Sequence, residues 1–405
     1  MWPANVLSLM ARWGQMTILG WLVLELTDSP WAVALVGFFG NVPMFFLGLV
    51  GGYLADSVDR RRVLVTTSFG ALVVAVAMLV VLVGGWERPW HCYLAIMTVG
   101  VGWALDLPVR RSMFHDLLGR GGVTNAMALD SMGQSGAVIL GPAVAGVLIA
   151  TVGFEGAYTF VTGCYLVSFL LLNRLHLSHM GKRNPDRKSG HMLKDLGVGF
   201  RYTFSNQTLF GVVLITVLMN TLLFPYQHIL PVIANSVLEI GPAPTGFLQA
   251  AAGMGSFVGA ISLASRANIL HHGRVYVGGS VLALACLIIF SLSRWYALSF
   301  PMLLLLGLGT SGFSTMQPTL AMLVSREDMR GKALGVVSLG IGTGPIGALY
   351  IGALADAFGP AMAITVNAVT GLALILMIVA LLPSLRARTM PDDRPVFIGA
   401  GRPKP

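Results

Sequence analysis

The residues in this chain that could do chemistry are few, polar and set in apolar surroundings. Near the start, Asn5, Ser8, Arg12 and Gln15 recur at i, i+3, i+7 and i+10, which puts them on one face of a helix. Such a face could hold the polar part of a ligand, with Arg12 contacting an anionic group or pairing with an acid. A second group is Asn220, Gln227 and His228, interrupted by Pro225 and Pro231; a third is Thr315 and Gln317, just before Pro318. His228 could line an exit path or simply pack between helices. Asp130 interrupts an apolar run and is either a titrating group for ion coupling or a partner of Arg111 or Arg120. Enzyme signatures are missing: no Gly-x4-Gly-Lys-Ser/Thr phosphate loop, Gly-x-Ser-x-Gly elbow, His-Glu-x-x-His or Cys-x-x-Cys. Cys92, Cys164 and Cys286 read as small buried hydrophobes, and His176, His179 and His191 lack metal-site spacing. The expectation is no enzyme, no metal and no cofactor.

The elements that must position these residues are membrane helices. Of 405 residues, 55% are hydrophobic and 11% charged, with mean hydropathy +0.77. Soluble domains carry about 25% charged residues, so this surface is built for lipid. Apolar stretches able to cross ~30 Å of hydrocarbon fall at 4–26, 32–54, 63–85, 90–109, 125–150, 155–173, 208–231, 245–265, 275–292, 295–324, 333–355 and 361–382. These twelve spans must be helices, because lipid leaves open strands unsatisfied. Of the 26 Lys and Arg, all but Arg12, Arg88 and Arg294 fall on one side if span 1 starts inside. The positive-inside rule then places both termini in the cytoplasm. The net charge of +9 is thus a topology signal, not a nucleic-acid footprint. The first apolar run is too long, and lacks the basic leader, for a cleavable signal peptide. Only three residues precede it, which raises the expectation of a true start further upstream.

The polar segment 175–206 separates six spans from six and carries Leu193, Leu196, Phe200 and Phe204 at helical spacing, predicting a surface helix. The expected organisation is a bundle at 1–174, this linker, a second bundle at 207–383 and a cytoplasmic tail at 384–405. Residues 146–153 resemble 352–359, an offset of 206 that points to a duplicated unit. Glycines crowd spans 2, 5, 8 and 11, as at Gly141-Pro142, Gly146, Pro345 and Gly347, so those helices should pack closely across the seam. Spans 3, 6, 9 and 12 are greasy runs suited to the rim. Spans 1, 4, 7 and 10 are left to line a path.

Between spans 2 and 3 stands Gly52-Tyr-Leu-Ala-Asp56-Ser-Val-Asp59-Arg60-Arg61-Arg62-Val-Leu64. It resembles the major facilitator superfamily loop Gly-x-Leu-Ala-Asp-Arg-x-Gly-Arg-Arg-x-x-Leu, with Ser57 and Asp59 in place of Arg and Gly. The resemblance implies that this cluster locks the two halves in the outward-facing state. Asp56 would dock near Arg330 and Lys332 at the start of span 11, and Arg60 would pair with Asp106. Glu25–Pro30, Leu105–Arg111, Asn125–Ser131, Gly141–Gly146 and Gly352–Asp356 look like the branch containing enterobactin exporters and macrolide efflux proteins. The span 4 arginine of many drug/proton antiporters is missing between Ala95 and Ala104.

The chain therefore reads as an all-α integral membrane protein of the cell inner membrane, working as a monomer in lipid. Its expected activity is export of a small amphipathic compound, such as a drug or siderophore, by alternating access driven by an ion gradient of protons. An importer or lipid flippase on the same fold, and a non-transporting sensor or assembly subunit, are the alternatives.

Overall fold

The computed structural model describes residues 2–57, 60–174, 192–265 and 271–386; of these, 48–57, 60, 108, 111–128 and 192–196 are described by backbone alone. Among the described residues the chain is helical and without strands. Helices α1 (Trp2–Thr27), α2 (Pro30–Ser57) and α3 (Arg60–Val83) pack around a helical run α4 (Pro89–Asn173) of 85 residues.

As one straight rod α4 would reach about 130 Å at ~1.5 Å per residue, some four bilayers. It folds back instead. Arg110 and Asp130 line one pocket, although a straight helix would part them by about 30 Å, so the chain reverses between them. Gly153 takes φ +72°, a left-handed conformation open to glycine because it has no Cβ, and reverses the run again. Before that turn Gly141 faces Gly14; after it Tyr158 and Tyr165 come back to Gln15, and Ser168 to Ala4. Ten described helices are long and apolar enough to cross a membrane, and one of them, Leu129–Asn173, has 45 residues. Its break at Gly153 makes two crossings of it. With residues 89–110 running along α2, the architecture is compatible with twelve crossings.

The second group of helices begins with the short α5 (Met192–Ser205), whose Phe200 and Phe204 are exposed and whose Tyr202 hydroxyl accepts from the Arg326 N–H at 3.1 Å. Asn206 caps α6 (Gln207–Leu218), its side chain accepting from Thr208 and Leu209 N–H. Span 7 then loses regular geometry: a π turn at Met219–Leu223 and a 3₁₀ turn at Phe224–Gln227 precede α7 (Leu230–Ser236). Pro225 and Pro231 lack the N–H that a continuous helix needs. There follow α8 (Pro242–Ala264), α9 (His272–Leu292), α10 (Tyr296–Val324), α11 (Arg330–Ile341), α12 (Gly344–Phe358) and α13 (Pro360–Leu381). Span 11 is thus two helices, parted at Gly342 and Thr343.

The two groups meet through glycine. In lipid no hydrophobic force pulls helices together, so close van der Waals approach must do so. Gly146 faces the Pro242 carbonyl and Gly246 of α8, while Gly352 of α12 faces Ala34 and Trp31 of α2. These residues are 206 apart, as are Gly153 and Gly359, and Gly359 also has positive φ, at +85°. The sequence repeat is therefore also a repeat of backbone geometry. Trp86, Trp90 and Trp295 lie exposed at the end of the molecule where α1 turns into α2, as interfacial tryptophans do.

Candidate functional site

Two polar regions stand out at depth, and they differ in chemistry. The first is a central cavity of about 170 Å³ between the two groups of helices. Trp13, Met16, Thr17 and Gly20 of α1, Gly37 of α2 and Pro142 of α4 form one wall. The broken span 7 gives Phe224, Tyr226, Gln227, His228 and Pro231 to the other, with Gln249 and Ser256 from α8 and Thr310 from α10. Among the described lining residues none is Asp, Glu, Lys or Arg. The Thr17 hydroxyl donates to Gln249 Oε1 at 2.6 Å, a hydrogen bond that joins the two halves across the cavity. Pro231 sits against Gly20 and the His228 ring against Gly37. Beyond them, Gly352 meets Ala34 and the Ser29 hydroxyl lies 3.4 Å from Asp356 Oδ1, so the end carrying Thr27–Pro30 is closed.

The second region lies inside the first group of helices. A pocket of about 50 Å³ is lined by Asn5, Ser8, Arg12, Asp106, Arg110 and Asp130, among others. Asp106 accepts from the Thr67 hydroxyl at 2.6 Å and from Arg110 at 2.9 Å, the two carboxylate oxygens taking one donor each. The pair is shielded, the side chains being 6% and 15% exposed for Arg110 and Asp106. Asn5 donates to Asp130 Oδ1 at 2.6 Å. Among the described residues no carboxylate pairs with Arg12. Its guanidinium instead stacks 3.8 Å from the ring centroid of Trp103, a cation–π contact worth about 2 kcal/mol when desolvated. Such contacts are needed, since a charge at bilayer mid-depth costs about 2.5–3.5 kcal/mol or more.

The remaining polar residues at depth are structural ties. Gln15 is buried between Tyr158, to which it donates at 2.7 Å, and Tyr165, from which it accepts at 3.0 Å. Gln317 donates to Thr216 at 2.7 Å, and Thr216 lies 3.2 Å from the Tyr276 hydroxyl. Asn220 donates to the Thr216 carbonyl one turn back. Thr315 is half-buried and lines neither cavity. So of the polar residues expected along one path, Gln227 and His228 reach the central cavity, and Ser8 and Arg12 reach the inner pocket. Gln15, Asn220 and Gln317 hold helices to one another. Trp13, Thr17, Gln249 and Trp103 were not singled out from the sequence. Only Thr17 and Gln249, polar residues within apolar spans, left a signal there.

The loop cluster is placed in part. Gly52 and Asp56 lie on α2 and Arg60 opens α3, with side chains outside the described residues. Arg61 donates to the Asn173 carbonyl at 3.1 Å. Arg330 donates to the Met322 carbonyl at 3.1 Å and lies 3.7 Å from Glu327, and Lys332 packs against Gly199 of α5. The described partners of Asp106 are Thr67 and Arg110. Of the expected packing residues, Gly146 and Pro142 meet Gly246 across the seam, whereas Gly141 abuts Gly14 and Gly347 faces Thr221 and Pro225 within their own halves, and Pro345 opens α12.

Two groups of membrane helices sharing an uncharged cavity, sealed at one end and walled by a broken helix, form an architecture suited to moving a small molecule across a membrane. The chain matches the family model described as transmembrane secretion effector over residues 1–396 and belongs to that family of the major facilitator superfamily. It is 25% identical to the multidrug efflux pump Tap of Mycolicibacterium fortuitum, over 84% of each chain. It is 26% identical to the enterobactin exporter EntS of Escherichia coli, over 88% of this chain and 85% of that one. The staphyloferrin A transporter of Staphylococcus aureus is 23% identical over 88% and 89%. Among solved structures, a bacterial homologue of the lysosomal transporter Spinster, inward-facing and unoccupied, superposes with TM-score 0.69 at 15% identity over 95% of this chain and 97% of that one. The nucleoside transporter NupG gives 0.68 at 14% identity, over 93% and 98%. At these identities the two structures speak to fold alone.

Proposed function

We propose that this protein exports a small amphipathic compound from the cytoplasm across the inner membrane, by alternating access coupled to the proton gradient. The observation that carries the reading is the central cavity sealed at the Thr27–Pro30 end by the Gly352–Ala34 and Gly146–Gly246 contacts. Counting Lys and Arg on either side puts both termini in the cytoplasm, which makes the sealed end the outer one and this state inward-facing. The rocking units are then residues 1–174 and 207–383, joined by the linker, in a monomer. Export is favoured by the efflux pump and the enterobactin exporter among the relatives. Aromatic rings, amides and hydroxyls line the cavity without a charged side chain, which suits a mostly apolar, uncharged compound. Asp130, beside Arg12 in the inner pocket, is the acid proposed to carry the coupling proton. Asp56 and Arg60 belong to the lock that would form in the outward-facing state.

The test is retention of a panel of dyes, macrolides and catechol compounds in cells expressing the protein, with and without a protonophore. Lower retention that the protonophore reverses is the expected result. Equal retention of every compound in cells with verified membrane expression would sink the export reading.

A further inference from the structure

His228 has a position that the transport cycle as proposed so far does not use. It follows the 3₁₀ turn Phe224–Gln227 and precedes Pro231, at the least regular point of span 7. Its ring lies against Gly37 of α2 so closely that a Cβ there would overlap Nδ1 and the neighbouring ring carbons. Only glycine leaves that notch. The Gly37 carbonyl is engaged by Asn41, whose side-chain amide donates to it at 2.9 Å. Nδ1 itself is buried with no hydrogen-bond partner, a condition rare enough in folded proteins to ask for an explanation. A polar ring wedged into a glycine notch at the seam between the two halves, with Nδ1 unpartnered, fits a part made to come out.

We propose that His228 in the Gly37 notch is the latch of the outer gate, and that a proton from the outer aqueous phase releases it. The cavity that His228 lines supplies no countercharge: α1 gives Trp13, Met16, Thr17 and Gly20 to it, α2 gives Val36 and Gly37, and α4 gives Val138 and Pro142. From α8 and α10 come Gln249, Ser256 and Thr310, and Tyr226 on its own segment is the one other titratable lining side chain. An imidazolium has two N–H donors and a full charge, and the notch meets neither. Water in an opened outer vestibule would meet both. The proton binds a ring-nitrogen lone pair and no other bond is made or broken. By linkage, a ligand that prefers the open state shifts the population toward it. In this way acid on the outer side would favour release of substrate there, and re-seating of the ring would expel the proton before the cavity accepts its next load.

The inference rests on the inward-facing reading, and its test needs no substrate. A cysteine replacing Ser256 on the cavity wall is labelled with a membrane-impermeant maleimide, from outside in intact cells and from the cytoplasmic face in inside-out vesicles. Cys92, Cys164 and Cys286 are buried, and rates at each pH are normalised to a cysteine replacing the exposed Arg294. With His228 present, outside labelling should rise as external pH falls, approaching about tenfold per unit for one linked proton. His228→Gln should flatten that slope, and Gly37→Ala, which denies the ring its seat, should raise labelling about tenfold or more at every pH. Asp130→Asn should leave the slope intact. A slope that survives His228→Gln, or vanishes only in Asp130→Asn, overturns the latch. Rapid outside labelling at pH 8 with slow labelling in vesicles would instead overturn the inward-facing reading, whatever the slope.

Discussion

The interiors of the two halves make a natural comparison, because they share a sequence and backbone repeat at Gly146–Gly153 and Gly352–Gly359 yet use opposite chemistry. The first half gathers Arg12, Asp106, Arg110 and Asp130, Arg110 buried and the others half-buried, around a small pocket. The second ties its helices with Gln317, Thr216 and Tyr276, all neutral. A neutral network in lipid is inexpensive glue, worth about 0.6 kcal/mol per hydrogen bond on average. A charged one costs several kcal/mol to bury, so it persists where charge is used. The difference places the charged interior, with the proposed coupling acid Asp130, in the first half, while the second half holds its helices with neutral ties and lends Gln227, His228 and Gln249 to the shared cavity.

Three substitutions sharpen or break this contrast. The largest effect is expected from Asp106→Ala, which strands Arg110 in a dry site and should lower stability by about 3–5 kcal/mol, read as thermal denaturation in detergent. A loss under about 1 kcal/mol would mean that the pair is solvated and the contrast false. Next comes Thr216→Val, which keeps shape but leaves the Gln317 amide without its acceptor, at about 1–3 kcal/mol. Transport by the protein that still folds should continue, because neither Thr216 nor Gln317 lines the cavity. Abolished transport at normal stability would give the Gln317–Thr216 tie itself a part in transport. Smallest in stability is Asp130→Asn, within about 0.5 kcal/mol, since an amide oxygen still accepts from Asn5. Its transport should nonetheless lose sensitivity to a protonophore, and retained sensitivity would remove Asp130 from the coupling path.

Much of the architecture was legible in the residues. Span lengths and the offset between Gly146–Gly153 and Gly352–Gly359 could be read from the sequence, and the structure carries both. Even the left-handed turns at Gly153 and Gly359 sit at matched positions of that repeat. The site was less legible, because which face of a helix meets a cavity depends on partners distant in sequence. Gln15 and Arg12 look equivalent on a helical stripe, yet Tyr158 and Tyr165 claim the first and Trp103 the second. The Thr17–Gln249 bond joins residues 232 apart, beyond the reach of any local pattern. Span 7 announced its break through Pro225 and Pro231, which is why Gln227 and His228 were found.

The exposed tryptophans at the sealed end carry a consequence for the bilayer itself. Indole rings settle at the headgroup level, so Trp86, Trp90 and Trp295 hold that rim at a set depth. Any tilt of one half against the other must then be taken up at the opposite rim, where the lipid has to stretch or thin to follow. Mismatch costs fractions of a kcal/mol per Å, which is on the scale that divides two states of a carrier. Acyl-chain length would thereby act as a setting on the cycle, with thin and thick bilayers favouring different ends of the same motion.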